Sequence, residues 1–328
     1  MIKYILIPIN VILLTCNNIN IKAIESFTDT ANYNITMLTI SILALMFYIK
    51  IKVDIVLCLI GIFQSLSYIC YFNAYKYIES QSQISNIIVF QKSNSLVITL
   101  FFDFYNKTSL SFIILLGNIY NIIGSYILYI NNNNIPYTII TPDEENNLHE
   151  PIISSNSNLK KYKYILLSTL GLLLNSISAI LIKISLMQNS IINVIFFKSF
   201  FSLLTLIIYH ILNGTLFDFE FKNENTRLKE RIEFGILNIT LSILYNLNMY
   251  VTFYLYTKFD NIGYVKSFDT AAIIPEILIL RYIIKLDKNY DNILYGLIVI
   301  FLGNFIISIK LFLDSWTRGG AIGLNITQ

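Results

Sequence analysis

Histidine and cysteine are almost missing from this chain of 328 residues, which has two of the first and three of the second. His149 and His210 stand far apart, and Cys16, Cys58 and Cys70 lie in or beside apolar runs with no C-x-x-C spacing. No disulfide framework and no metal site can be built from them, and no cofactor is expected. Charge is scarce too: 13% of the residues are charged, where a soluble protein has about a quarter. The net charge of +3 is scattered, without the basic stripe that would follow a phosphate backbone, which excludes nucleic acid as a partner. What fills the chain instead is apolar: 55% of it is hydrophobic and the mean hydropathy is +0.63. This is the composition of an all-α integral membrane protein crossing the bilayer many times, with lipids as its surroundings. Whether the membrane is the plasma membrane or an internal one stays open.

The apolar runs come in a rhythm. The first, MIKYILIPINVILLTC, spans only ~22 Å as a helix and is read as a retained helix, with a signal peptide as the alternative. Runs at 34–49, 53–74, 82–102 and 109–130 follow, punctuated by connectors holding Lys50 and Lys52, Lys76 and Glu79, then Asp103, Asn106 and Lys107. A polar stretch with Pro136, Pro142 and Pro151 separates these from runs at 164–187, 191–212, 233–256, 262–284 and 293–312. The organisation expected is therefore a first five-helix unit over 1–130, a linker over 131–163, a second unit over 164–312 and a polar tail over 313–328.

The two units resemble each other. At an offset of 182 residues Gln64 falls on Asn246 and Lys76 on Lys258. Near the ends of the units the offset is 179, where Gly117 and Gly124 fall on Gly296 and Gly303, with the same seven-residue spacing in both. That spacing puts each pair on one helix face, where small residues let backbones approach closely in lipid. With an odd number of spans per unit, such a repeat has inverted topology. The expected fold is ten transmembrane helices as two inverted five-helix repeats.

The stretch YVKSFDTAAIIPEILILR, at 264–281, carries the chemistry. An ionised group inside a bilayer costs ~2.5 to 3.5 kcal/mol on insertion scales unless it finds a partner, water or a solute. Helical spacing places Lys266, Asp269 and Glu276 on one face, with Thr270 beside them. Gln91 and Lys92 lie in the middle of the 82–102 run, with Lys92, Ser95 and Thr99 on a common face. Lys198 lies about eight residues into the next unit's second run. Gln64, Asn246 and Asn248 are neutral polar residues that either hydrogen-bond a solute or hold helices together. Lys76, Lys183 and Lys258 stand near run ends and read as interfacial anchors.

The pattern YFNAYKYIESQSQISNIIVFQKSNSLVITLFF, with GNIYNIIG after a polar turn, resembles the closing helices of an EamA-type domain of the drug/metabolite transporter superfamily. TFYLYTKFDNIGYVKSFDTAAIIPEILILR with GLIVIFLG resembles its second copy. The resemblance implies ten helices in two inverted repeats, termini on the cytosolic side, and a central cavity lined partly by the fourth and ninth helices. It implies a solute such as a nucleotide sugar, a sugar phosphate, an amino acid or a drug. This sequence departs from the pattern in its short first helix and in lacking a first-repeat proline to match Pro275. The distribution of lysine among the connectors does not support cytosolic termini.

Three deep lysines, Lys92, Lys198 and Lys266, stand against two deep acids, Asp269 and Glu276. The slight positive excess favours an anionic or zwitterionic solute, and an acid that titrates would serve proton or ion coupling. The function expected is a non-enzymatic secondary transporter of a small polar metabolite, with a homodimer as a further expectation. A non-transporting or degenerate membrane scaffold is the alternative. A membrane-embedded enzyme would need a His, Asp or metal constellation near one interface.

Overall fold

Apolar side chains point outward on this molecule. Along one helix Leu166, Leu170, Leu173 and Ile177 are exposed while Ser168, Ser176 and Ser178 are buried, the reverse of a soluble helix. Apolar surface on that scale is stable only against lipid. The computed structural model describes residues 2–25, 30–49, 54–75, 77, 81–106, 111–130, 157–214, 228–282 and 293–323. Among them every regular element is helical.

The helices are α1 (Ile2–Glu25), α2 (Thr30–Leu45), α3 (Ile55–Tyr75), α4 (Gln81–Lys92), α5 (Asn94–Tyr105), α6 (Phe112–Ile130), α7 (Ser157–Ser185), α8 (Ile191–Leu212) and α9 (Leu228–Lys258). They are followed by α10 (Gly263–Ser267), a 3-10 turn (Phe268–Ala272), α11 (Ile273–Tyr282) and α12 (Ile293–Gly323). Seven stretches are long and apolar enough to cross a membrane: Lys3–Ile21, Ile55–Tyr75, Asn86–Tyr105, Tyr162–Ser185, Ile191–Leu212, Ile232–Lys258 and Ile293–Leu311. Shorter apolar helices lie at Asn34–Leu45 and Phe112–Leu128. The chain is accordingly a multi-pass, all-helical membrane protein.

Several boundaries differ from those read in the sequence. α1 is longer than the apolar run that begins it. α7 starts at Ser157, inside the stretch read as linker, and α12 continues to Gly323 through most of the expected tail. Residues 131–156, Lys76, Glu79, Lys107 and His149 lie outside the described residues. Asp103 is no connector residue: it ends up inside α5 and only 1% exposed.

Packing follows the small residues. α6 and α12 pass in opposite directions, so that a β-carbon on Gly117 would lie 2.8 Å from the Gly303 carbonyl oxygen and one on Gly124 2.8 Å from that of Gly296. The four glycines therefore meet each other across one seam. Gly61 does the same for α3 and α8, where an added β-carbon would lie 2.7 Å from the Lys198 carbonyl oxygen. Elsewhere α3 lies along α7, α1 and α2 along α9, α2 against α8, and α5 against α10. The largest buried apolar cluster joins α1, α3, α5, α7, α8, α9, α10 and α12 through residues such as Leu57, Ile98, Phe253, Val265 and Ile307. Lys183 donates to the backbone oxygens of Tyr256 (2.6 Å) and Phe259 (2.9 Å), so it caps α9, where the sequence suggested an interfacial anchor.

Candidate functional site

Two helical runs are interrupted, the first only slightly. α4 and α5 join at Ser93, which keeps helical dihedrals and whose amide bonds the Val89 oxygen at 2.9 Å while its oxygen accepts from the Val97 amide at 3.1 Å, so Asn86–Tyr105 remains one span with a local irregularity. The Ser93 hydroxyl donates to the Val89 oxygen at 2.7 Å. Hydroxyls that hydrogen-bond their own helix backbone compete with its ladder and bend it. The second interruption is the 3-10 turn between α10 and α11, three residues before Pro275. Proline lacks a backbone N–H and is tolerated in the first turn of the helix that follows.

The start of α10 is pinned to α5. The Asn261 side chain accepts from the Gly263 amide (2.9 Å) and donates to the Thr99 oxygen (3.0 Å) and to the Asp103 carboxylate (2.8 Å). Tyr264 donates to the same carboxylate at 3.3 Å, and Gly263 packs directly on Thr99. A second polar chain fixes the end of α10. Ser95 and Ser267 both donate to the Asn118 amide oxygen at 2.8 Å, Asn121 donates to the Ser267 oxygen at 3.2 Å, and Asn304 donates to Asn121 at 3.1 Å. These bonds connect α5, α6, α10 and α12.

On this support stand the charges. Lys266 and Asp269 form an ion pair of 2.8 Å across the 3-10 turn, with side chains 25% and 26% exposed. Glu276, 6% exposed, accepts from Asn18 at 2.8 Å, and the Thr15 hydroxyl, which donates to its own helix at the Val11 oxygen (2.8 Å), lies 3.3 Å from the Ala272 oxygen, so α1 packs over the break. Lys92, at the end of α4, feels the attraction of both Asp269 and Glu276 and the repulsion of Lys266. Helical spacing in the sequence grouped Lys266, Asp269 and Glu276 on one face; the structure pairs Lys266 with Asp269 across the 3-10 turn, while Glu276, on α11, bonds Asn18 of α1.

Lys198 sits apart from the acids. It is 5% exposed and donates to the Tyr245 hydroxyl (3.1 Å) and the Met249 sulfur (3.4 Å). Its electrostatic neighbours are Tyr68 and Lys266. Tyr68, on α3, is within electrostatic reach of Lys198, Tyr245 and Lys266. Gln64, Ser65, Tyr68, Ser202 and Tyr245 line a cavity of about 20 Å³ between α2, α3, α8 and α9, room for roughly one water molecule.

Of the remaining residues singled out in the sequence, Gln64 donates to Asn175 at 3.4 Å. Thr270 is buried in the 3-10 turn and Gln91 half-buried beside Lys92. Asn246 is half-buried on α9, does not line the cavity, and its side-chain oxygen has no hydrogen-bond partner among the described residues. Local reading missed Asp103, Asn261, Tyr264, Tyr68, Tyr245 and Asn18. Their roles come from contacts between segments far apart in the chain.

No family model matches the sequence, and no curated protein matches it. Among solved structures, 23 chains match. One of them, described only as the crystal structure of a protein, covers 94% of this chain and 96% of its own length with a TM-score of 0.64. At 12% identity the likeness is one of fold.

Proposed function

We propose that the protein is a secondary transporter that moves a small polar metabolite across a membrane by alternating access. Its architecture is ten transmembrane segments in two inverted five-helix repeats, like the EamA-type domains of the drug/metabolite transporters that the sequence resembles. α1, α2, α3, α4 with α5, and α6 form the first repeat. α7, α8, α9, α10 with α11, and α12 form the second.

The packing supports a two-fold relation between the halves. Exchanging the repeats carries the contact of α3 with α7 onto that of α9 with α1, and the contact of α3 with α8 onto that of α9 with α2. The close approach of Gly117 to Gly303 becomes that of Gly296 to Gly124. Because α6 and α12 are antiparallel, the axis relating them lies across the helices, as inverted topology requires.

The observation that carries the functional reading is the break between α10 and α11, with the Lys266–Asp269 ion pair across it and the buried Glu276 just beyond, while the corresponding run of the first half is irregular at Ser93, next to Lys92. Discontinuous helices in corresponding positions of two repeats mark solute sites near the bilayer midplane. Charges in a membrane interior are retained for transport or coupling far more often than for stability. Lys92, Lys266, Asp269 and Glu276 then contact or gate the solute, with proton or ion coupling falling to the acids.

The test is uptake by purified protein in liposomes, screening nucleotide sugars, sugar phosphates and amino acids with and without a pH gradient. Accumulation that Lys266→Ala or Asp269→Asn abolishes, with folded protein retained, is the expected outcome. Accumulation indifferent to both substitutions would move the pathway away from the breaks. No flux of any solute would leave a membrane scaffold as the better account.

A further inference from the structure

Asp103 is a buried carboxylate that the proposed site does not use. It stands two residues before the end of α5, beside Phe104 and Tyr105, which are 86% and 70% exposed, yet is itself 1% exposed. A carboxylate taken out of water is costly unless hydrogen bonds hold it. Here the donors come from the other half of the chain, Asn261 at 2.8 Å and Tyr264 at 3.3 Å.

Inward from Asp103 the two segments stay in contact, rung by rung, with α5 and α10 antiparallel. One turn in, Thr99 meets Gly263 so closely that a β-carbon there would lie 2.5 Å from the Thr99 backbone nitrogen, and the Thr99 oxygen accepts from Asn261 at 3.0 Å. One turn further, Ser95 and Ser267 both donate to the Asn118 oxygen at 2.8 Å. The charged groups begin at this third rung and lie inward of it, Lys92 on one segment and the Lys266–Asp269 pair on the other. A solute that reaches them from the membrane face where α5 ends has to part the rungs. The groups that make the rungs are polar, and on parting they exchange protein partners for water at little net cost. The α6–α12 seam is different, being close-packed backbone on glycine.

We infer that Asp103, Asn261 and Tyr264 form the latch of a gate that shuts the proposed site from the membrane face at which α5 ends and α10 begins. The role of the gate rests on the transport reading; the opening of the joint does not. The carboxylate makes the latch reversible. Closed, it is held by donors of the other half; open, it is hydrated. Loss of either donor therefore favours the open joint, because it leaves a buried charge with fewer hydrogen bonds.

The experiment reads that opening without any solute. Two reporters, Tyr105→Cys on the exposed end of α5 and Ser267→Cys at the third rung, are placed in the full-length chain with Cys16, Cys58 and Cys70 replaced by alanine. The protein is reconstituted in sealed liposomes and treated from outside with a membrane-impermeant maleimide, and intact mass counts the molecules labelled at Tyr105→Cys that also carry a second label. With the latch intact, Ser267→Cys is expected to label far more slowly than Tyr105→Cys. Asn261→Ala is expected to speed its labelling on the order of tenfold, as several hydrogen bonds across the joint are lost. Tyr264→Phe, which keeps the ring and removes one donor, is expected to speed it several-fold and serves if Asn261→Ala does not fold. Equal labelling of the two reporters with the latch intact, or labelling of Ser267→Cys unchanged by the variants, would overturn the latch. Labelling that responds as expected, with no flux of any solute in the uptake screen, would leave the joint as a latch and overturn transport. Flux with labelling indifferent to the variants would do the reverse.

Discussion

Lys266, in α10, and Asp269, in the 3-10 turn that follows it, stand three residues apart, and each compensates the other's charge at 2.8 Å. Neutralising one leaves the other uncompensated. Because about a quarter of each side chain is exposed, the penalty lies below that of a fully buried pair, and Asp269→Asn is expected to cost about 1.5 to 3 kcal/mol of stability. Replacing both residues by apolar ones, Lys266→Met with Asp269→Leu, is expected to recover most of that loss, since no lone charge remains. Unfolding curves in detergent for the wild type, the two single variants and the double variant give the coupling directly. The same four proteins in the uptake assay separate structure from function. A double variant that is stable and inactive is the expected result, and one that is stable and transports would make the pair a structural strut.

At the scale of the helix, the glycines give the sharpest test. A β-carbon on Gly303 would lie 2.5 Å from the Asn121 side-chain oxygen and 2.7 Å from the Gly117 backbone oxygen, whereas one on Gly235 would meet nothing within 4 Å. Gly303→Ala is expected to destabilise by about 1 to 3 kcal/mol through overpacking. Gly235→Ala, which gains helix propensity on an open face of α9, is expected to stabilise by about 0.5 to 1 kcal/mol. Thermal unfolding of both variants checks the contrast, and equal effects would remove the glycine seam as the basis of α6–α12 packing. That seam was legible in the sequence because a seven-residue glycine spacing recurs in both halves and has few other uses. The ninth segment was half legible: Pro275 marks an interruption, but the break precedes it, where the chain is free to tighten into a 3-10 turn. The fourth segment has no proline, and its irregularity falls at Ser93, whose hydroxyl bonds back to its own helix, as ordinary serines in helices also do. Asp103 read as punctuation beside Asn106 and Lys107 because its partners, Asn261 and Tyr264, come from the other half of the chain. Tyr68 and Tyr245 were hidden by composition, being two of 23 tyrosines, and only their approach to Lys198 sets them apart.

For the whole molecule the number of crossings decides the topology. Seven stretches qualify as spans on length and hydropathy, and an odd number would put the two ends of the chain on opposite faces of the membrane. In the arrangement proposed above, three further segments join these seven to make ten. α6 has 19 residues and α2 has 16, or ~28 and ~24 Å of helix, and small differences from a ~30 Å core are absorbed by local thinning of the bilayer. The third, α10 with its turn and α11, falls short of a continuous helix only because it is interrupted. Its hydrogen bonds to α5, α6 and α1 place it inside the bundle, where broken helices are tolerated. The proposed ten crossings would put both ends on the same face, and an even total in two odd halves is what an inverted repeat requires. Epitope tags placed before Met1 and after Gln328, probed by protease protection in sealed vesicles, are expected to be cleaved or protected together. Opposite protection would overturn the ten-segment arrangement and with it the two-fold relation that pairs the two irregular segments across the site.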